Sequence, residues 1–277
     1  MRTLAMDATE KGARFRALHE ATFVIPNPWD IGTARLLESL GYRALATTSA
    51  GYAFSRGLAD GAVGFQDMIA HCKELAAAVD IPVSADLEKG KGDSAGSAAE
   101  TIFAAEAAGL AGCSIEDSTG DPAKPIFDFS LAVERVQAAV EAARALKRDF
   151  VFTARAENFL WGIKDLDDTI RRLQAFEKAG ADVLYAPGLA DIETVKAVCS
   201  SVSRPVNVLA VAGFSVDALR EAGAKRISVG SKLSTVAFGA VRRAALEMLE
   251  QGTFEYARNA MPFGDLQSLF AKRGNQE

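Results

Sequence analysis

Histidine is almost missing, with only His19 and His71 in 277 residues. Both fall in stretches of helical periodicity, FRALHEATF and DMIAHCKEL, where a solvated or packed helix position is the expected role. That scarcity removes most Ser-His-Asp, Cys-His and zinc chemistry. Cysteine is scarce too: Cys72, Cys113 and Cys199 are odd in number and far apart. They form neither a disulfide framework nor a CxxC-type metal site, and read as reduced thiols in the core. No basic run exceeds a few residues and the net charge is -5, so the electrostatic footprint of a nucleic-acid binder is lacking. No apolar run is long enough to span a bilayer, and the N-terminal MRTLAMDATEKGARFRALHE is broken by charges throughout. The expectation is a cytoplasmic protein whose partners are small molecules or proteins, with no nucleic acid and no membrane.

What is present is a composition of 49% hydrophobic and 24% charged residues, enough to bury a large core. Four segments share one pattern: SLGYRALATTS from 39, AAGLAGCSIED from 107, KAGADVLYAPG from 178 and EAGAKRISVG from 221. Each reads as a helix stopped by a left-handed glycine, a short connection and a buried strand. FVIP from 23, IPVSA from 81, FVFTA from 150 and PVNVLA from 205 bring the strands to eight. Between them lie helical stretches, such as IGTARLLESL with Ile31, Ala34, Leu37 and Leu40 on one face, and DDTIRRLQAFEKAG with Ile170, Leu173 and Phe176. Eight alternating units predict an α/β protein with a (β/α)8 barrel, and no GxGxxG follows the first strand to favour a dinucleotide fold. Residues 1–277 are expected to form one domain, with 240–277 as a helical extension that caps the barrel or is exchanged with a neighbouring subunit.

In such a barrel the chemistry sits at the carboxyl ends of the strands. There the chain reads TTSAG after strand 2, DLEKGKGD after strand 3, EDSTGD after strand 4, RAEN after strand 5, APG after strand 6 and GSK after strand 8, with Asn207 inside strand 7. Period-two geometry turns Asp86 and Glu88 to the barrel axis and Leu87 away from it. Glu116 can reach the same space. Three half-buried carboxylates repel one another, and a hard divalent cation with oxygen ligands relieves that; Mg²⁺ fits. At any one position, capping of the next helix or pairing with Lys89, Lys91 or Arg155 is an equally good reading. Arg155 is placed to hold a substrate carboxylate bidentately, or to form a structural ion pair with Glu116 or Glu157. KGKGD is not a P-loop, and Lys232 reads as a surface residue rather than a Schiff-base lysine.

NPWDIGTARLLESLGYRALATTSAGYAFSRGLADG, PVSADLEKGKGD, GCSIEDSTG and FTARAENFLWG, in that order and spacing, resemble the isocitrate lyase/phosphoenolpyruvate mutase superfamily over about residues 12–245. The resemblance implies a Mg²⁺-dependent (Mn²⁺ being possible) (β/α)8 barrel. It implies a homotetramer, a dimer of dimers with a swapped C-terminal helix, that makes or breaks a C–C or P–C bond of a 2-oxo or 2-hydroxy acid. It puts the metal on Asp86, Glu88 and Glu116, with Asp60 holding metal waters. Arg155 takes the substrate carboxylate, and the amides near Ser49 and Ala50, beside Thr48, take the oxoanion. Asn207 joins the expected substrate-binding set. An alternative alignment puts the metal pair on Ser84 and Asp86; the pair Asp86 and Glu88 keeps the glycines of GKG in register without an insertion.

The departures narrow the activity. The K-[KR]-C-G-H loop of isocitrate and methylisocitrate lyases, whose cysteine serves as acid/base, has no counterpart: the loop after strand 3 reads KGKGDS. The PKTNS-like loop of phosphonate-handling relatives is replaced by DPAKPIFDF, with Lys124 but no asparagine, and Pro187 stands where relatives carry histidine or glutamate. Breaking the C3 bond of a β-keto diacid such as oxaloacetate needs no base to start it, so a metal-stabilised enolate formed by a decarboxylase-like lyase is the expectation. P–C bond chemistry on a phosphonopyruvate-type substrate is the alternative, and a non-catalytic oxo-acid-binding barrel the third.

Overall fold

The computed structural model describes residues 6–271. Eight short strands carry the fold: β1 Phe23–Ile25, β2 Leu45–Ala46, β3 Val83–Asp86, β4 Gly112–Glu116, β5 Val151–Arg155, β6 Val183–Tyr185, β7 Val206–Leu209 and β8 Arg226–Ser228. Each coincides with one of the eight expected strands. All pair in parallel in the order β1-β8-β7-β6-β5-β4-β3-β2, and helices alternate with them, so the protein is a nearly closed (β/α)8 barrel.

The remaining seam, between β1 and β2, is held by few bonds. The Ala46 amide donates to the Pro26 carbonyl at 3.1 Å. Asn27 does the rest: its Nδ2 donates to the Thr47 carbonyl at 3.1 Å, and its Oδ1 accepts from the Val229 and Gly230 amides at 2.9 Å each. One buried amide therefore joins the exits of β1, β2 and β8.

The four helix-stopping glycines are left-handed as expected, with φ of 91° at Gly41, 82° at Gly109, 103° at Gly180 and 100° at Gly223. Apolar residues of the strands and the helix layer, among them Leu75, Ile102, Phe152, Phe176 and Leu184, form one continuous cluster. A second cluster lies at the strand starts, where Phe15 of the helix Ala8–Leu18 packs with Phe23, Val151 and Val183. That helix begins at an Asp7 capping box, so its entry angle is fixed by two reciprocal bonds.

One expectation about helix faces needs correction. In the helix Ile31–Ser39 only Ala34 and Leu37 are buried. Ile31 begins the helix and Leu40 caps it, 67% exposed, because a spacing of three drifts away from the core-facing stripe of a 3.6-residue helix. The C-terminal helix spans Lys232–Gln251 and so starts before residue 240. It buries only Ser234 and leaves Val236, Val241 and Leu249 more than 60% exposed. The last helix, Phe263–Ala271, lies against Ile31–Ser39, with Phe270 over Gly32.

Gly112 is required by space rather than by dihedral angle. A Cβ there would stand 2.3 Å from the Val151 carbonyl oxygen and 3.1 Å from the Phe15 ring. Gly112→Ala is therefore expected to destabilise by about 1–3 kcal/mol through overpacking, read as a lower denaturant midpoint at unchanged slope. An unchanged midpoint would show that β4 and β5 can part without cost.

Candidate active site

Arg155, the last residue of β5, organises the carboxyl end of the barrel. Its Nη1 donates to Asp86 Oδ1 at 2.9 Å and lies 3.2 Å from Glu116 Oε2, while its Nε donates to Glu157 Oε1 at 2.5 Å. The Tyr185 ring faces the same guanidinium, 5.2 Å from its carbon. Register explains the meeting: Glu116 pairs with Arg155 across β4 and β5, and Arg155 with Tyr185 across β5 and β6. Burial pulls the Arg155 pKa down, but Glu157, Glu116 and Asp86 together hold it well above its ordinary value.

Asp86 ends β3. Its Oδ2 accepts from Ser49 Oγ at 2.9 Å and from the Ser49 amide at 3.4 Å, and its own amide donates to Thr47 Oγ1. Leu87 turns into the core, as period two requires. Glu88 lies beyond the strand, and it is the only non-glycine with positive φ, 50°, among the described residues. A left-handed carboxylate-bearing residue is costly unless its surroundings impose it. Here the imposition is visible: the Glu88 carbonyl accepts from the Glu116 amide at 2.9 Å, and the Gly61 amide donates to its carboxylate.

Above these residues opens a cavity of about 510 Å³ whose lining includes Asp60, Glu88, Glu116, Glu157 and Arg155. The acids there resist ionisation. Burial, then Asp86 and Asp60, push the Glu88 carboxyl up to about 7. Burial raises Asp60 as well, with Asp86 adding to it, and lifts Glu116 well above the usual carboxylate range despite Arg155. Lys89 also lines the cavity, with its Nζ donating to the Thr119 carbonyl and pairing with Asp93, each at 2.8 Å.

The expected site residues do not all meet. Asp60, Ser49, Glu88, Glu116 and Arg155 share the cavity, and Asp86 joins them through Ser49 and Arg155. Thr48 caps the helix Ser49–Ser55, its hydroxyl accepting from the Gly51 amide, and is itself buried. Ala50 lies in that helix's first turn and does not line the cavity. Ser84 and Asn207 lie deeper, on a smaller space of about 50 Å³ inside the barrel. The Asn207 side chain is consumed there: its Nδ2 donates to Ser228 Oγ at 3.0 Å and its Oδ1 accepts from Arg226 Nε at 2.9 Å.

A second layer fixes the first. The Glu157 amide donates to Asp117 Oδ1 at 2.8 Å, and Asp117 Oδ2 accepts from Arg172 Nη1 at 2.9 Å. Arg172 Nε in turn donates to Asp168 at 2.8 Å. Buried Arg135, from the helix Phe129–Ala145, donates to the carbonyls of Lys89, Gly92 and Ser94, gripping the loop after β3 by its backbone.

Residues 15–249 match the profile of the phosphoenolpyruvate phosphomutase family. The chain belongs to that family. Its wider group is the isocitrate lyase/phosphoenolpyruvate mutase superfamily. A solved Burkholderia cenocepacia J2315 protein, provisionally described as a lyase/mutase, is 51% identical, with a TM-score of 0.94 over 95% of this chain and 97% of its own. The oxaloacetate decarboxylase of Paraburkholderia xenovorans LB400 is 32% identical over 74% of this chain and 70% of its own. The 2-methylisocitrate lyase of Escherichia coli K12 is 30% identical over 78% and 77%.

The donor set agrees with the cation implied for the superfamily. Asp60, Asp86, Glu88, Glu116 and Glu157 surround one guanidinium, leaving an excess of hard oxygen donors of the kind Mg²⁺ takes. Among the described residues no three His, Cys, Asp or Glu side chains are grouped tightly enough to hold a metal by themselves. Arg155 bridges Asp86 and Glu116 instead.

Sequence reasoning passed over Asp117, Arg172, Arg135 and Trp161. Asp117 stood in plain view beside Glu116, but its partner Arg172 is 55 positions away.

The raised acids set a pH dependence. Glu88 moves from its ordinary 4.5 to about 7 on folding, so between those values the folded chain holds a proton that the unfolded chain has released. Stability then falls as pH rises through that window and levels off above it. Two buried histidines act oppositely in the same range: burial lowers His19 to about 3 and His71 to about 4 from an ordinary 6.5, so the unfolded chain holds protons there that the folded chain lacks, and stability from them rises with pH up to about 6.5. Asp168, held at about 2 by Arg172, Arg171 and Asn158 against the effect of burial, acts in that same sense but only below the ordinary carboxylate range. Because the histidines and Glu88 oppose each other, the Glu88 contribution is read as a difference: metal-free Glu88→Gln should gain melting temperature relative to the wild type as pH rises from 5 to 8. A difference between the two proteins that stays constant from pH 5 to 8 would contradict this account.

Proposed function

We propose that the protein is a Mg²⁺-dependent lyase that cleaves a C–C bond next to a 2-oxo (or 2-hydroxy) acid unit, acting as a decarboxylase on a diacid of the oxaloacetate kind. The observation that carries this reading is the make-up of the cavity: its charged lining is carboxylates, Arg155 and Lys89, and neither histidine nor cysteine lines it. Loss of CO₂ from a β-keto acid needs an acceptor for the electrons of the breaking bond, and no base to start it. A retro-aldol cleavage needs a group to take the hydroxyl proton.

Asp86, Glu88 and Glu116, with Asp60, would hold Mg²⁺, which when bound supplies Lewis-acid neutralisation of the charge that develops on the C2 oxygen. The chain's own residues do the rest. Arg155 presents Nη2, which no described residue engages, to the substrate carboxylate, while its other nitrogens stay tied to Glu157, Asp86 and Glu116. Those ties hold the fork in one orientation, so little freedom is lost on binding. Ser49 is held against Asp86 and lines the cavity. As CO₂ leaves, its bonding pair becomes the enolate, and Lys89, the one ammonium lining the cavity, supplies the proton that carbon 3 then takes.

The same reading treats the chain as a single barrel domain with a C-terminal helical extension, working in the cytoplasm, where the unpaired Cys72, Cys113 and Cys199 stay reduced. It also makes the protein a homotetramer, a dimer of dimers in which the helix Lys232–Gln251 covers its exposed Val236, Val241 and Leu249 against a neighbouring copy.

Incubation with Mg²⁺ and oxaloacetate, malate-type diacids or phosphonopyruvate, followed by pyruvate release, tests the activity. Pyruvate from the β-keto diacid is expected, with Arg155→Lys and Glu116→Gln each lowering kcat/KM by about 10²-fold or more. Phosphoenolpyruvate or phosphate release with no diacid turnover would replace the proposal with P–C chemistry. Substrate binding without any turnover would make the barrel a binding protein. Light scattering of the purified protein should give four chains per particle; a monomer would remove the helix exchange.

A further inference from the structure

Among the residues lining the 510 Å³ cavity, two present large apolar side chains, Leu160 and Trp161. A single exposed leucine needs no explanation. This one is different because of how it is held. It sits in the turn after β5, where the Trp161 amide donates to the Glu157 carbonyl at 3.2 Å, Gly162 to Phe159 at 3.1 Å and Ile163 to Asn158 at 2.8 Å. Asn158 is fully buried and tied to Asp168. Phe159 packs against Gly188, whose backbone is left-handed at φ 91° and where a Cβ would stand 3.0 Å from Phe159 Cβ and 3.3 Å from Leu160 Cδ2. Leu160 is thus seated on Gly188 and stays 50% exposed at a cavity whose charged lining is mostly acidic. Beside it the indole N–H donates to Ser118 Oγ at 3.0 Å. That bond satisfies the ring's one polar atom and leaves its carbon face without any polar claim.

We propose that Leu160 and Trp161 form a specificity wall that selects substrates bearing an alkyl group on carbon 3, the carbon next to the C2 oxo or hydroxy centre. This rests on the reading that the cavity binds a 2-oxo or 2-hydroxy acid. The carboxylate and C2 oxygen are claimed by Arg155 and the acidic cluster, so the substituent on the neighbouring carbon is what remains to meet an apolar surface. Buried apolar area rewards a methyl or ethyl group there, and a third carboxylate in the same place would lose water against Leu160.

The test compares oxaloacetate with 3-methyl- and 3-ethyl-oxaloacetate in the presence of Mg²⁺. The wild-type protein is expected to favour the alkylated acids in kcat/KM by about 10-fold, the scale of one methylene in an apolar pocket. Leu160→Gln, nearly equal in volume, should bring that ratio close to one. Trp161→Phe, which keeps an apolar ring but loses the bond to Ser118, should lower the ratio in part. Val216→Gln, on a helix away from the cavity with its side chain similarly exposed, should leave it unchanged. Calorimetric binding of pyruvate and 3-methyl-2-oxobutanoate with Mg²⁺ gives a second readout that needs no turnover, and the branched acid should bind more tightly to wild type alone. Oxo acids turned over or bound with no alkyl preference, or a preference that survives Leu160→Gln, would overturn the wall while leaving the proposed activity intact. Failure of every oxo acid to bind or react would overturn the activity and the wall with it.

Discussion

Too many carboxylates for the cations that share their space is the constraint around which this end of the barrel is built. A buried carboxylate with no partner costs several kcal/mol, and proteins avoid it by pairing, protonation or a bound cation. Arg155 answers three of the five acids and leaves Glu88 and Asp60 without a guanidinium. The second layer keeps that deficit in place. Asp117, paired with Arg172, accepts from the Glu157 amide and so fixes the backbone that carries Glu157 beside Arg155, which is tied in turn to Asp86 and Glu116.

The opposite situation holds further down the barrel. Arg226, at the start of β8, is buried among neutral partners: Asn207, Thr153 Oγ1 at 3.0 Å and His19 Nε2 at 3.4 Å. Burial lowers its pKa to about 10, and burial together with Arg226 lowers His19 to about 3. A lone cation on the barrel floor and surplus acids at the mouth therefore share one low-dielectric interior, where charges act over longer distances than in water. The barrel is polarised along its axis before any ligand arrives.

Most of the architecture was legible because the signals were local. Short apolar runs bounded by glycines are what a parallel strand buried on both faces looks like, and all eight were visible. The acids at the strand ends were visible for the same reason. Glu88 reached the expected space by a different route: period-two alternation assumes a strand running past it, yet β3 stops at Asp86 and a left-handed turn makes the placement. Depth was not legible. Asn207 was correctly put in strand 7, but only the register with Ser228 and Arg226 shows that it points to the floor. Pairings across long stretches of chain, such as Arg172 with Asp117 or Arg135 with the loop after β3, leave no periodic trace. The apolar stripe of Lys232–Gln251 was readable, and on the single chain most of it is exposed.

Arg135 carries a last implication. It holds the loop after β3 through carbonyl oxygens, which every residue type possesses, while the carboxylate of Asp93 on that loop also acts on its guanidinium. The part of the loop's shape that Arg135 fixes does not depend on which side chains the loop carries. Exchange of Lys89 or Lys91 would leave that backbone anchor in place and remove only their own bonds, to Thr119 and Asp93 for the first and to Glu100 for the second.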